Sequence, residues 1–139
     1  MNPNPKLKKL SVGLAVAAII FGALTVFSGG RALFGDVEAR AELGNIVPFV
    51  LWFNFTAGFV YVLAGVALLR ARRWAAPVAL LLAVSTVLVF LAFAAHIVAG
   101  GAFEARTAGA LSIRSLFWII VALVAVRAAK ATSFGSRAP

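Results

Sequence analysis

Four long apolar stretches constrain the fold of this chain more than any other feature of its sequence. They run approximately over Leu10–Phe27, Ile46–Leu69, Trp74–Ala99 and Leu111–Ala129. None of them contains Asp, Glu or Lys, and each has roughly the 17–25 residues that a helix needs to cross the hydrocarbon core of a bilayer. Because backbone polar groups in lipid must be satisfied within the segment itself, these stretches predict transmembrane helices.

The composition excludes a soluble protein of this size. Hydrophobic residues make up 63% of the 139 residues and charged residues only 12%, whereas soluble domains have roughly 45–50% apolar and about 25% charged residues. A small globule has too much surface for its volume to hide this many apolar side chains, and a disordered chain would be polar. We therefore predict an all-α integral membrane protein. It is expected to be a single domain over residues 1–139, with four transmembrane helices in an antiparallel bundle.

The connections between the stretches support this arrangement. Residues 70–73 form a very short link, which predicts that the second and third helices are antiparallel neighbours. Pro48 and Pro77 fall in the first turns of their helices, where the missing N–H group costs least. Asn45 is a candidate N-cap for the second helix. The longer first loop is expected to contain a short surface helix from Asp36 to Leu43.

The chain carries a formal net charge of +9, and its basic residues are unevenly distributed along the sequence. Nine of them and no acidic residue fall before the first stretch, between the second and third, and at the end of the fourth or after it. The opposite side holds four basic and four acidic residues. Since basic residues accumulate in cytoplasmic segments, both termini are predicted to be cytoplasmic, and the charge is expected to serve topology rather than nucleic-acid binding. The nine are Lys6, Lys8, Lys9, Arg70, Arg72, Arg73, Arg127, Lys130 and Arg137.

Composition and the N-terminal region also predict the location of the protein. The excess of Arg over Lys and the abundance of Ala are typical of a GC-rich bacterial genome, so we expect a multi-pass protein of the bacterial inner membrane. Residues 1–9 and the following apolar run resemble a secretory signal peptide. The run is longer than the 7–15 residues usual in such a peptide, however. We therefore expect the first stretch to remain as a membrane helix.

Small and weakly polar residues recur at helical spacing in every stretch. Such faces mark helix–helix contacts, because lipid provides no hydrophobic force between helices. They could serve packing within one chain, or one of them could serve an oligomer interface. Trp52, Trp74 and Trp118 lie near predicted helix ends, as in an interfacial aromatic belt. The four faces are Ser11, Ala15, Ala18, Gly22, Thr25 and Gly29; Asn54, Gly58, Tyr61 and Gly65; Ser85, Ala92, His96 and Ala99; and Ser115, Ala122, Ala125 and Ala129.

Five polar residues are expected to converge on the outer half of the bundle and to form a candidate ligand-binding site. Polar residues within spans are costly and often functional. Each of the five also has a structural interpretation. The amide could bond a neighbouring helix, the imidazole a carbonyl or the carboxylate, and the carboxylate one of the arginines as an ion pair. The five are Asn54, His96, Glu104, Arg106 and Arg114.

The residue inventory argues against catalysis and against bound cofactors. One histidine and no cysteine do not supply the ligands of a zinc site, and no nucleophile motif accompanies the serines. We therefore expect no metal, no cofactor and no enzymatic activity. The favoured hypothesis is a non-enzymatic accessory or ligand-binding component of the membrane. It would be in contact with the lipid bilayer and with either a larger membrane complex or further copies of itself. The alternatives are a small oligomeric transporter or channel and, less favoured, an enzyme that uses His96 as a base.

Overall fold

The computed structural model describes residues 5–135, except for the side chains of residues 39 and 132–135. This part of the chain contains five helices. They are α1 (Pro5–Phe34), α2 (Val37–Ala41), α3 (Pro48–Leu69), α4 (Ala75–Val98) and α5 (Ala105–Gly135). All except α2 are long and apolar enough to cross a membrane, by length and composition. The predicted all-helical fold with four membrane-length helices is therefore confirmed. The predicted surface helix is present as α2, although it is shorter than expected.

A proline lies in the first turn of both α3 and α4. Pro48 is the first residue of α3, and Pro77 lies in the first turn of α4, as predicted. The predicted N-cap is wrong, because Val47 occupies that position and makes no side-chain capping bond. Asn45 lies two residues earlier, where its backbone N–H and its side-chain amide both donate to Glu104.

Helix α5 begins at Ala105 rather than near Leu111, so the third loop is shorter than the sequence suggested. The Glu104 carbonyl accepts hydrogen bonds from the N–H groups of Thr107, at 2.9 Å, and Ala108, at 3.4 Å, and so starts the helix. Polar residues here lower the local hydropathy without interrupting the helix, because arginine is a good helix former. As a result, Arg106 and Arg114 both lie on α5.

The helices pack as two pairs. The contact between α1 and α3 is the most extensive in the bundle, followed by that between α4 and α5, and the contacts between the two pairs are smaller. The predicted small-residue faces of the first, second and fourth stretches point into the bundle with few exceptions. Their buried members are Ala15, Ala18, Gly22, Thr25 and Gly29 on α1, Gly58, Tyr61 and Gly65 on α3, and Ser115, Ala122 and Ala125 on α5, whereas Ala129 is exposed.

Glycine lets the backbones of α1 and α3 touch. A Cβ atom on Gly22 would lie 2.7 Å from the carbonyl oxygen of Gly58, and one on Gly65 would lie 2.7 Å from that of Ala15. In both cases one of the obstacles is a backbone oxygen, which cannot rotate away as a side chain can. This is the close approach that helices in lipid achieve with small residues.

The predicted contact face of α4 is wrong. Ala92 and Ala99 are exposed, and Ser85 and His96 are only half-buried. The buried face of α4 lies along a different set of positions, where small side chains are combined with Leu82 and Phe93. The buried residues of α4 are Ala75, Ala79, Leu82, Ala83, Thr86 and Phe93.

Trp118 does not belong to an interfacial belt. It is 0% exposed and lies in the core with its ring centroid 4.7 Å from that of Tyr61. The earlier start of α5 explains this, because it moves Trp118 from near a helix end to near the middle of the helix. Trp52 and Trp74, in contrast, are 51% and 46% exposed.

A tight turn joins α3 to α4. The N–H of Arg72 donates to the Ala67 carbonyl at 2.9 Å, and that of Ala71 donates to the Leu68 carbonyl at 3.1 Å. This is the Schellman pattern of helix termination, in which the residue after the cap adopts a left-handed conformation. Ala71 has a φ of 48°, a region that costs residues with a Cβ atom more than it costs glycine.

The α1–α3 contact can be tested with two glycines of the same helix. We expect Gly22→Ala to lower the free energy of unfolding by about 1–3 kcal/mol, because the added methyl meets the Gly58 backbone. The matched control is Gly13→Ala, whose Cβ would meet nothing within 4 Å. It should be neutral or stabilising by up to about 1 kcal/mol. Unfolding in mild detergent, followed by tryptophan fluorescence, measures both, and equal stabilities would contradict the proposed contact.

Candidate functional site

A polar cavity of about 170 Å³ lies where α1 ends and where α3 and α5 begin. Its walls come from these three helices and from residues 43–47, which precede α3. We call it the polar cavity. Three of the five predicted site residues line it, namely Asn54, Arg106 and Arg114. Its other polar lining residues are Thr25, Ser28, Asn45 and Thr107.

Arg114 carries a charge into the interior of the bundle. Its side chain is half-buried, and its Nη2 atom donates to the hydroxyl of Thr25 on α1 at 3.3 Å. The guanidinium carbon lies 5.3 Å from the centroid of the Phe21 ring, a cation–π distance. Its Nε atom is buried and has no hydrogen-bond partner within residues 5–135. The guanidinium therefore has hydrogen-bonding capacity that the surrounding side chains do not use.

Asn54 is in a similar position on α3. Its Oδ1 atom is buried and accepts no hydrogen bond from the described residues, so the predicted bond to a neighbouring helix is not formed at this atom. A buried polar group without a partner costs about 1–3 kcal/mol. Asn54 and Arg114 line the same cavity, and one provides an unused acceptor while the other provides an unused donor.

Glu104 and Arg106 fasten the loop before α3 to the start of α5. Glu104 Oε1 accepts from the backbone N–H of Asn45 at 2.9 Å and from its side-chain amide at 3.3 Å. Arg106 Nη2 donates to the carbonyl of Glu42 at 3.0 Å. The expected partnership between the carboxylate and an arginine is replaced by these three hydrogen bonds to the loop. Gly44, with a φ of 69°, brings this loop directly against Glu104.

His96 does not join the other site residues. Its Nε2 atom lies 3.1 Å from the carbonyl oxygen of Ala102, and because a carbonyl only accepts, this nitrogen carries the proton. The ring lies edge-on to Phe49, with 6.4 Å between the centroids, and it covers Gly101. The sequence left His96 either as a ligand-binding residue or as a residue that bonds a carbonyl group within the fold. The contact with Ala102 matches the second interpretation.

A second set of buried polar groups was only partly visible in the sequence. The Tyr61 hydroxyl, the Thr86 hydroxyl, the Ser115 hydroxyl and the Trp118 indole nitrogen are buried without hydrogen-bond partners in the described part of the chain. Tyr61 lies close to both Thr86 and Trp118, although no pair among them has hydrogen-bond geometry. We call these four residues the central polar layer. The adjacent pair Ser85–Thr86 could have revealed Thr86 as a buried polar residue. The helical spacing of small residues, however, placed Ser85 on the predicted contact face.

The lining of the polar cavity is rich in basic and hydrogen-bonding side chains. It offers two guanidinium groups, two amides and three hydroxyls, and none of the described residues that line it is acidic or a histidine. Within residues 5–135, no three His, Cys, Asp or Glu side chains are grouped so that they could hold a metal ion.

The bonds of Glu104 give a direct prediction. Glu104→Ala should lower the free energy of unfolding by about 1–3 kcal/mol, because two donors of Asn45 lose their acceptor. Glu104→Gln keeps an acceptor oxygen and should cost less than half as much. Glu38→Ala, at an exposed position on α2, should stay within about 0.5 kcal/mol of the wild type. Thermal unfolding in detergent measures all three, and equal effects of the Ala and Gln variants would contradict this role.

No protein-family model matches the sequence, and no curated protein or solved structure is detectably similar to it. A fold of this kind does not specify a function by itself, since helical bundles serve many functions. The function is therefore inferred from the chemistry of the polar cavity.

Proposed function

We propose that this chain is a non-enzymatic, multi-pass protein of the bacterial inner membrane that binds a small anion in the polar cavity. The observation that carries the proposal is the position of Arg114, whose charged side chain lies inside the bundle with its Nε atom unpartnered among the described residues. A charged side chain at the centre of a membrane span costs about 2.5–3.5 kcal/mol on insertion scales, and charged residues within spans often mark sites of function. Here the lining contains a second arginine, Arg106, and no described acidic residue. An anion bound in the cavity would supply the negative charge that balances these two arginines.

The size of the cavity limits the ligand. Its volume of about 170 Å³ is close to the roughly 150 Å³ of a cavity that accommodates benzene. It is well below the roughly 300 Å³ at which pockets for drug-sized ligands begin. A small carboxylate or an inorganic oxyanion fits this space. The free acceptor on Asn54 favours an anion that also carries a hydrogen-bond donor, such as a hydroxy acid.

The topology forms part of the proposal. The end of the bundle at residues 70–74 carries the excess of basic residues, whereas all four acidic residues lie at or near the other end. By the positive-inside rule, the first end faces the cytoplasm and the polar cavity faces outward. Helices α3 and α4 then run antiparallel through the membrane.

Reporter fusions test this topology. A reporter that is active only in the cytoplasm should be active when fused at Pro139 and inactive when inserted beside Glu38. A reporter that is active only outside should show the opposite pattern. The physical reason is the excess of basic residues at one end. The same signal from both positions would contradict the proposed arrangement.

Binding of probe anions tests the function. Acetate and glycolate, added to the purified protein at constant ionic strength with a bulky sulfonate as the balancing anion, should raise its thermal stability. A ligand present at about 100 times its Kd stabilises the native state by about 2.7 kcal/mol. Glycolate should act at lower concentrations than acetate, because its hydroxyl can donate to Asn54. Calorimetric titration then gives the dissociation constants.

Matched variants separate this site from general charge effects. Arg114→Gln should abolish the response to both anions, since a bidentate donor to the carboxylate is lost. Arg31→Gln removes an equal charge from the same end of the bundle without touching the cavity, and it should respond as the wild type does. Asn54→Leu should remove only the preference for glycolate. The proposal is wrong if neither anion binds, or if Arg31→Gln and Arg114→Gln lose binding equally.

Transport of the anion is a second candidate function. The polar cavity and a larger cavity beside residues 71–76 lie at opposite ends of the bundle. Both lie between the α1–α3 pair and the α4–α5 pair, where the packing is less extensive. Movement of one pair against the other would open each cavity in turn. Entry of labelled acetate into liposomes that contain only this protein would favour transport, whereas binding without flux would favour a sensor or accessory role.

A further inference from the structure

We propose that the larger cavity binds the phosphate group of an anionic phospholipid. This cavity has a volume of about 530 Å³ and lies where α1 begins, where α3 and α4 are linked, and where α5 nears its end. We call it the link cavity. It shares no lining residue with the polar cavity, so the inference requires only that the chain is embedded in a membrane.

Two arginines line the link cavity. Arg72 and Arg73 both line it and both are exposed. Neighbouring Arg70 does not line it, because the left-handed turn at Ala71 separates this residue from the two that follow. Arginine binds phosphate through paired N–H donors in a fixed planar geometry. Two residues that can bind phosphate in this way therefore line the same cavity.

Most of the remaining wall is apolar and made of small side chains. Alanines of the link and of α4 and α5 provide it, together with Leu68 and Ser11. Because these side chains are short, space remains where the two helix pairs meet. A phosphate ion would need only a small part of about 530 Å³. An amphiphile fits better, since its glycerol and first methylene groups can lie against the alanines while its phosphate meets the arginines.

The charge around the link cavity favours a net anion over a zwitterion. Lys8, Lys9, Arg70 and Arg127 lie at the same end of the bundle, whereas all four acidic residues of the sequence lie at or near the other end. Clusters of this kind attract anionic headgroups. Trp74 is 46% exposed beside the cavity, and tryptophan at a helix end is typical of the level of the headgroups. The link cavity is thus at the depth where a lipid phosphate lies.

The retention of lipid by the purified protein tests whether the link cavity binds an anionic phospholipid. The full-length protein is incorporated into nanodiscs of equal parts phosphatidylglycerol and phosphatidylcholine, released into mild detergent, and weighed by native mass spectrometry. We expect one phosphatidylglycerol to be retained per chain. Arg72→Gln combined with Arg73→Gln should reduce retention by about tenfold or more, because both phosphate donors are lost. Ala76→Leu keeps both arginines but fills part of the apolar wall, and it should also reduce retention.

The matched control is Arg70→Gln combined with Arg127→Gln. It removes two charges from the same end without changing a residue that lines the cavity, and it should retain the lipid within about twofold of the wild type. Equal loss in both double variants would mean that the lipid is attracted only by the overall charge, and would overturn the proposal.

Two further results would also overturn it. If phosphatidylcholine is retained to the same extent as phosphatidylglycerol, the site does not select an anionic lipid. If excess inorganic phosphate displaces the lipid from the wild type and itself remains bound, the ligand is free phosphate. Tryptophan fluorescence, which reports on buried Trp118, confirms that each variant is folded. A variant that fails this check is replaced by Arg72→Lys combined with Arg73→Lys, which keeps the charge, loses the paired donors and should retain less lipid.

Discussion

The close backbone contact between α1 and α3 is the interaction on which the rest of the bundle depends. In lipid, apolar side chains gain nothing by leaving their surroundings for one another, so helices associate through packing and polar bonds. Gly22, Gly58 and Gly65 allow this contact, and they make α1 and α3 one unit. Helices α4 and α5 form the other unit, in which small and large side chains share one buried cluster. The seam between the two units is less tightly packed, and both cavities lie in it.

The parts of the fold that were predictable are those in which residue type records the contact directly. The faces of α1 and α3 were visible because only glycine and alanine permit such an approach, so their spacing marks the interface. The face of α4 was not visible, since Leu82 and Phe93 contact α5 while similar residues on the same helix are exposed. The burial of Trp118 depended on where α5 begins. A hydrogen bond to a backbone carbonyl sets that point, and hydropathy does not report it.

The candidate site was predictable as a group of residues but not as a set of bonds. Asn54, Arg106 and Arg114 meet because their positions along the helices bring them to the same end of the bundle, and this can be read from the sequence. The position of His96 outside the cavity depends on the rotation of α4 about its axis. The bond between Glu104 and Asn45 joins residues far apart in the sequence, so it depends on how the loop before α3 folds over α5.

The polar groups of the seam are difficult to explain by stability alone. Replacing buried polar groups with apolar ones of the same shape is often neutral or stabilising, and Asn54, Arg114 and the central polar layer all contain buried atoms without partners in the described residues. A bundle selected only for packing would do as well with Leu, Val and Phe at these positions. Two of these residues, Asn54 and Arg114, line the polar cavity, which has two arginines in its lining and no described acid. The anion proposed above would give partners to Asn54 and Arg114, whereas the central polar layer lines neither cavity. On that proposal, the end of the seam at the polar cavity binds the ligand, and the α1–α3 contact holds the bundle around it.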